Sequence, residues 1–343
     1  MKHLLNTLYV TTPDAYLSRD GETVLVRVND DVKLRLPVHT LSAILCFGHT
    51  MCTPGLMGLC AERQVHLAFF SEHGRFICRS QGPVSGNVLL RRQQYRVADD
   101  PRLSSRIAAC CIAGKIANSR TVLQRAARET SDSESASALG EAVLALGRLI
   151  PQVENLEDLD QIRGREGEAG RMYFSVFDHM IAADKQGFFL RERTRRPPLD
   201  NVNALLSFIY TLLVSDVTAA LEGVGLDPAV GFLHRDRPGR PSLALDLMEE
   251  LRPVLADRLA LSLINRRQVS ASGFRKTDSG GVIMDDDTRK EVLVAWQKRK
   301  QEEVQHPFLG EKAPIGLLPH LQALLLARHL RGGLDAYPSL IWK

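Results

Sequence analysis

The stretch Arg75-Phe-Ile-Cys-Arg-Ser-Gln-Gly-Pro83, resumed at Asn87-Val-Leu-Leu-Arg-Arg-Gln-Gln-Tyr95, decides the fold. Its first half is a short apolar run ended by the Gly82-Pro83 breaker, which is how a strand looks in sequence. Its second half opens a helical pattern. Towards the N-terminus, Gln64-Val-His-Leu-Ala-Phe-Phe is another strand. Glu22-Thr-Val-Leu-Val-Arg-Val follows the turn Arg19-Asp-Gly, and Val32-Lys-Leu-Arg-Leu-Pro-Val follows Asn29-Asp-Asp, the pattern of hairpins. Thr53 to Ala61 is predicted as one short helix started by Pro54.

Towards the C-terminus the apolar residues recur at helical spacing. Arg102 to Arg128, after Pro101, carries Ile107, Cys110, Cys111, Ile116, Val122 and Leu123. Ser131 to Ala138 is serine-rich and acidic, a loop or an exposed helix start. Helical periods resume over 139–150, 154–186, 199–222, 242–263, 287–303 and 314–330. The apolar run Ala204 to Val214, flanked by Asp200 and Asp216, is too short for a membrane span and suits a buried helix. The expected class is α+β. A small β-rich domain over residues 1–84 precedes a larger all-α domain over 85–343, which carries the chemistry.

Composition agrees. At 343 residues, 44% hydrophobic and 24% charged, the chain suits about two globular domains and excludes collagen-like, disordered and disulfide-scaffold classes. Six cysteines form no C-x-x-C pair, and MKHLLNTLYV breaks too early for a secretory leader, so reduced thiols in a cytoplasmic protein are expected. The net charge of +4 says less than its distribution. Residues 91–130 hold nine basic residues against three acidic ones. Arg191, Arg193, Arg195 and Arg196 form a second cluster before Pro197-Pro198, and Arg235, Arg237 and Arg240 a third beside His234. A charge run is ordinarily a solvated helix face. Arginines next to a candidate metal ligand have a further use, because phosphate must be neutralised where chemistry occurs. Arg91, Arg92 and these two clusters are the candidate phosphate contacts.

Three segments carry candidate chemistry. In Arg163-Gly-Arg-Glu-Gly-Glu-Ala-Gly-Arg171, Glu166 lies among three glycines, each costing a helix about 1 kcal/mol relative to alanine. Close approach of a ligand to Glu166 would explain them, and so would a helix crossing through small residues. Gly225-Leu-Asp-Pro-Ala-Val-Gly-Phe-Leu-His ends at His234, and His234-Arg-Asp236 offers a competing H-x-D pair. Pro241 and Ser242 suit a helix start, which puts Asp246 and Glu249 on one face, Leu243, Leu247 and Leu251 on the packed side, and Glu250 elsewhere. Acidic residues near a helix start also favour the dipole, so a structural explanation stays open. Together Glu166, His234 and Glu249, with Asp246 in support, suit Mg²⁺ or Mn²⁺ better than zinc. Such a site fits phosphodiester chemistry.

These residues resemble the CRISPR-associated endonuclease and integrase family that captures new spacers. The resemblance rests on Glu166-Gly-x-Ala-x-x-x-Tyr-Phe, on Pro197-Pro-x-Asp-x-Val-Asn-Ala-Leu-Leu-Ser-Phe-x-Tyr and on Gly225-Leu-Asp-Pro-x-x-Gly-Phe-Leu-His. It continues through Arg240-Pro-Ser-Leu-Ala-x-Asp-Leu-Met-Glu, with Gly170 standing where many relatives carry alanine. It implies that Glu166, His234 and Glu249 bind the metal. Asp246 falls beside them, and its removal is expected to be milder than removal of a ligand. It also implies an enzyme of antiviral defence that joins the 3′-hydroxyl of a captured DNA fragment to the repeat of a CRISPR array. The implied partners are double-stranded DNA, a second copy of the chain through the β domain, and a dimer of a small ferredoxin-like CRISPR-associated protein flanked by two such homodimers. No membrane is implied. A hydrolytic metal-dependent nuclease of DNA repair and a non-catalytic DNA-binding scaffold are the alternatives. No motif assigns a role to the residues after Gly280.

Overall fold

The structure, a computed structural model, describes residues 5–83 and 87–342. The chain divides into two units, Met1–Gly86 and Asn87–Lys343. The expected boundary between residues 84 and 85 lies outside the described residues.

The first unit holds two four-stranded sheets. Its elements are β1 (Asn6–Val10), β2 (Ala15–Asp20), β3 (Thr23–Val28), β4 (Asp31–Pro37), β5 (Leu41–Phe47), β6 (Thr50–Cys52), α1 (Pro54–Glu62), β7 (His66–Phe70) and β8 (Phe76–Ser80). The sheet orders are β4-β3-β2-β6 and β1-β5-β7-β8. Val28 pairs with Asp31, so Asn29 and Asp30 form a two-residue turn, and their φ of 51° and 66° are what a type I′ hairpin requires. β5 runs parallel to both β1 and β7, which is why its Leu-Ser-Ala-Ile-Leu-Cys-Phe is almost wholly apolar. The Thr53 side chain accepts from the Leu56 N–H and Pro54 occupies the first turn, fixing where α1 starts. Leu56 and Leu59 then pack with Leu17, Val24, Ile44 and Leu67 in the core.

The second unit is mostly helical. It contains α2 (Val88–Asp99), α3 (Pro101–Glu129), α4 (Ser133–Glu154), α5 (Leu159–Ser175), α6 (Asn201–Val224), α7 (Ser242–Glu249), α8 (Arg258–Asn265), α9 (Asp286–Gln301) and α10 (Leu318–Leu330). It is not all-α as expected. β9 (Phe274–Lys276) pairs with β10 (Val282–Met284), and β11 (Glu303–Gln305) with β12 (Lys312–Pro314). Gly280 and Gly310, at φ 79° and 70°, turn the chain between the paired strands.

One open reading is decided, and two expected helical stretches differ in detail. The serine-rich stretch is a helix start, because the Asp132 carboxylate accepts from the Ser135 N–H. The stretch 154–186 is interrupted: Asp158 caps a new helix through the Gln161 N–H at 2.8 Å, and that helix ends at Ser175. The stretch 242–263 contains a π-helical segment, Arg252–Asp257, where Pro253 has no N–H to continue the α ladder. Among the described residues α6 is long and apolar enough to cross a membrane, but 67% of its most apolar window is buried inside the protein, as befits a core helix.

The last residues close this unit. Glu250, fully buried, accepts from Tyr337 Oη at 2.5 Å, Gln322 Nε2 at 2.8 Å and the Leu340 N–H at 2.8 Å. Burial pushes its carboxyl up to about 7 against the downward pull of those three bonds. Asn118 of α3 donates to the carbonyls of Glu250 and Leu340, at 2.7 and 2.8 Å, and accepts from the Trp342 N–H. A polar cluster thus ties α3, the end of α7 and the C-terminal segment together.

Candidate active site

Glu166 stands on α5, and its glycine neighbours serve space and not packing. A Cβ at Gly164 or Gly170 would meet nothing within 4 Å, and one at Gly167 would meet only Arg171 Nη1, at 3.9 Å. That disposes of the helix-crossing explanation. Gly167 and Gly170 instead line a cavity of about 510 Å³ together with Glu166.

His234 is delivered by the loop after α6. Gly225, at φ 91°, ends that helix. Buried Gln94 of α2 then clamps the loop by donating to the carbonyls of Asp227 and Val230, both at 2.8 Å. At Gly231 a Cβ would lie 2.7 Å from Asp246 Oδ2 and 2.8 Å from the Ser242 carbonyl carbon, so only glycine lets α7 approach this closely. The Asp246 carboxylate, 1% exposed, collects four donors from the loop: the N–H groups of Phe232 (2.6 Å), Leu233 (2.9 Å) and His234 (3.0 Å), and His234 Nδ1 (2.5 Å). A carboxylate is an acceptor, so it places the ring proton on Nδ1 and leaves the Nε2 lone pair free to ligate. Asp236, the competing partner, is exposed on the loop. Arg163 of α5 donates from Nε to the Leu233 carbonyl at 2.9 Å, joining the Glu166 helix to the His234 loop.

Glu249 ends α7 with its side chain 2% exposed. Burial alone would raise its carboxyl, but Arg252 first and then Lys115, with His234 behind them, hold it down at about 2. Arg252 Nη1 lies 2.9 Å from Glu249 Oε1. Lys115 Nζ, from the middle of α3, lies 2.7 Å from Glu249 Oε2 and also pairs with Glu166 Oε1. Both carboxylates therefore share one ammonium. Among the described residues no three His, Cys, Asp or Glu side chains stand ready as a metal cluster. Buried Glu249 Oε2 nevertheless faces the ammonium without hydrogen-bond geometry. Two carboxylates drawn to one cation, one such oxygen, and an imidazole oriented by Asp246 make a donor set that fits a hard divalent ion.

The cavity wall beyond Glu166 is cationic. Arg171, Arg191, Arg193, Arg195 and Arg252 line it with Tyr173 and Tyr210. The Tyr210 ring lies under the guanidiniums of Arg193 (5.3 Å) and Arg252 (5.1 Å), and its hydroxyl donates to Asp257 at 2.6 Å. Burial raises the Asp257 carboxyl to about 6 against the downward pull of the Tyr210 hydrogen bond. Arg191, Arg195 and Arg196 are exposed, whereas Arg193 turns inwards, donating to Asn203 Oδ1 at 2.7 Å and Ser207 Oγ at 3.2 Å. Buried Asn203 also donates to the Glu192 carbonyl at 2.8 Å, so it shapes the arginine loop from α6. Arg235 pairs with Asp160 at 2.8 Å, Arg237 is exposed, and Arg240 is half-buried. On α2, Arg92 is exposed and Arg91 half-buried.

Sequence reading missed Lys115, Arg252, Asn203 and Tyr210 as parts of this site. Lys115 had a signal: it is a lone cation on an apolar helix face, between Gly114 and Ile116.

Comparison with known proteins places the chain in a family. The relative named CRISPR-associated endonuclease Cas1 1, from Chlorobaculum tepidum, is 52% identical over 343 residues, covering 100% of both chains. In fold, the chain is similar to a casposase bound to integration product, with TM-score 0.83 at 19% identity over 99% of this chain and 95% of that one. It is equally similar to part of a Cas6-RT-Cas1–Cas2 complex, with TM-score 0.83 at 22% identity over 100% of this chain and 36% of that one. The family model for CRISPR associated protein Cas1 matches residues 8–298, and with a full-length relative above half identity, the chain belongs to that family.

Proposed function

We propose that this chain is a DNA endonuclease and integrase of CRISPR adaptation, which joins the 3′-hydroxyl ends of captured fragments into the repeat of a CRISPR array. The observation that carries the reading is the meeting of Glu166 and Glu249 on one cation, beside a cavity walled by guanidiniums. An acidic seat for a metal next to a basic seat for phosphates is what phosphodiester transfer needs. Glu166, His234 through Nε2, and Glu249 would hold Mg²⁺ or Mn²⁺. Bound there, the ion would polarise a phosphoryl oxygen and make the attacking hydroxyl a better nucleophile.

The remaining work falls to the chain. Asp246 keeps the His234 proton on Nδ1, and Arg252 fixes the Glu249 carboxylate. Arg171, Arg191 and Arg195 offset phosphate charge, and holding the hydroxyl against the target phosphate supplies much of the acceleration. Arg91, Arg92, Arg196, Arg235, Arg237 and Arg240 extend the DNA surface, whereas Arg193 shapes its loop. The first unit mediates homodimerisation, and two homodimers flank a dimer of the small ferredoxin-like protein in the cytoplasm.

The test supplies purified protein, partner, repeat-bearing DNA and Mn²⁺ with a fragment ending in either a 3′-hydroxyl or a 3′-hydrogen. Both fragments are expected to bind, and only the hydroxyl fragment to yield the slower-migrating joined product. Cutting of target DNA without any joining would favour the hydrolytic nuclease; neither cutting nor joining would favour the scaffold.

A further inference from the structure

Lys115 is a lysine where the packing would accept a hydrocarbon. It lies midway along the 29-residue α3, its side chain is 13% exposed, and its neighbour Ile116 is fully buried. Its stem carries the ammonium to carboxylates on two other elements, Glu166 of α5 and Glu249 of α7. Two carboxylates cannot both stay charged this close together in a protected site without a cation between them. The lysine supplies that cation, and it does so at the oxygens assigned to the metal. An ammonium and a divalent ion cannot engage the same lone pairs, and their charges repel at such range. The lysine side chain has four flexible carbons and lines the cavity beside Glu166, so it has somewhere to go.

We propose that Lys115 is a resident cation that exchanges with the divalent metal: it holds Glu166 and Glu249 together in the metal-free protein and swings into the cavity when the metal binds. The inference rests on the metal assignment made above. Binding of the ion is then weakened by competition with the ammonium, and the carboxylates are held in place before the ion arrives.

The experiment titrates Mn²⁺ alone into the full-length protein, followed by electron paramagnetic resonance, and records thermal unfolding in chelator and in saturating Mn²⁺. Lys115→Met is expected to bind Mn²⁺ at least ten-fold more tightly than wild type. It is also expected to unfold at a lower temperature in chelator and to regain that loss in Mn²⁺. Lys115→Arg, which keeps the charge, is expected to bind no more tightly than wild type. Lys115→Gln serves the same purpose as the methionine variant if that one fails to fold. Equal or weaker Mn²⁺ binding by the uncharged variants would overturn the exchange and leave the metal assignment standing. Wild-type Mn²⁺ binding that survives Glu166→Ala would instead overturn the metal assignment, and the exchange with it.

Discussion

Asp246→Asn changes one atom of the side chain and should disturb the site more than its distance from the chemistry suggests. In the native protein one carboxylate oxygen accepts the Phe232 and Leu233 N–H groups, and the other accepts the His234 N–H and Nδ1–H. If the asparagine keeps its oxygen towards Phe232 and Leu233, its NH₂ confronts the other two donors. A buried donor left unmatched costs about 1–3 kcal/mol, and two charge-assisted bonds become neutral ones, so about 3 kcal/mol is expected. At about 2–4 °C per kcal/mol for a domain of this size, Tm should fall by about 6–12 °C. The ring also responds. To accept from the NH₂, Nδ1 must give up its proton, which moves to Nε2 and removes the lone pair a metal would use. Loss of a carboxylate that orients a ligating histidine typically costs about 10–100-fold in metal affinity. Thermal unfolding measures the first effect, Mn²⁺ titration the second, and ¹⁵N NMR of the histidine ring the tautomer. A variant with wild-type Tm and wild-type Mn²⁺ affinity would refute the argument and restore the mild role expected for Asp246 from sequence.

Glu166→Ala and Glu249→Ala should both abolish cutting and joining but differ in stability. Glu166 is 30% exposed, whereas removing Glu249 leaves Arg252 buried without its carboxylate and Lys115 with Glu166 alone, and breaking a buried pair typically costs about 3–5 kcal/mol. Matching Tm values for the two variants would contradict this. DNA binding should weaken steeply with salt, each neutralised phosphate contributing about −0.9 to the slope of log K against log salt. Reversing the charge of exposed Arg195 and Arg196 should flatten that slope, and an unchanged slope would make them merely solvated. Asp257, raised from 3.8 to about 6 in the folded state, contributes stability that is full below its unfolded value and lost as pH rises through about 6. The change is about 3 kcal/mol, from roughly two pK units at 1.36 kcal/mol each. Urea unfolding of wild type and Asp257→Asn between pH 4 and 7 checks it, and parallel curves would count against it.

What was legible in the sequence follows from which forces act locally. β3 and β4 were legible because the turn residues Asn29 and Asp30 punctuate an alternating pattern. β5 was not, because a strand buried between two parallel neighbours loses its alternation. Glu166, His234, Asp246 and Glu249 stood out by residue type, and their motifs identified the family. Sequence separation hid the rest. The ammonium between Glu166 and Glu249 comes from a helix some fifty residues upstream of the first, and composition placed it in a run of nine basic residues that looked like a solvated face. The inward turn of Arg193 is equally invisible, since it depends on Asn203 and Tyr210 arriving from α6. The π-helical segment Arg252–Asp257 was not legible either, because the apolar period of 242–263 runs through Pro253 without a break and only the backbone ladder changes there.

The polar cluster around Asn118 and Glu250 also sets a timetable for biosynthesis. Asn118 and Trp342 are 224 residues apart. At roughly 5–20 residues per second, translation separates them by about ten to forty-five seconds. Throughout that interval the Asn118 amide lacks its partners at Leu340 and Trp342, and from the moment Glu250 is made its carboxyl lacks Tyr337 and the Leu340 N–H. Both groups are destined for full burial, so the apolar layers around them cannot seal without stranding polar atoms. The helical unit therefore finishes folding only once Tyr337 to Trp342 are made, and a nascent chain stalled before Tyr337 would expose the seam between α3 and α7 to chaperones and proteases.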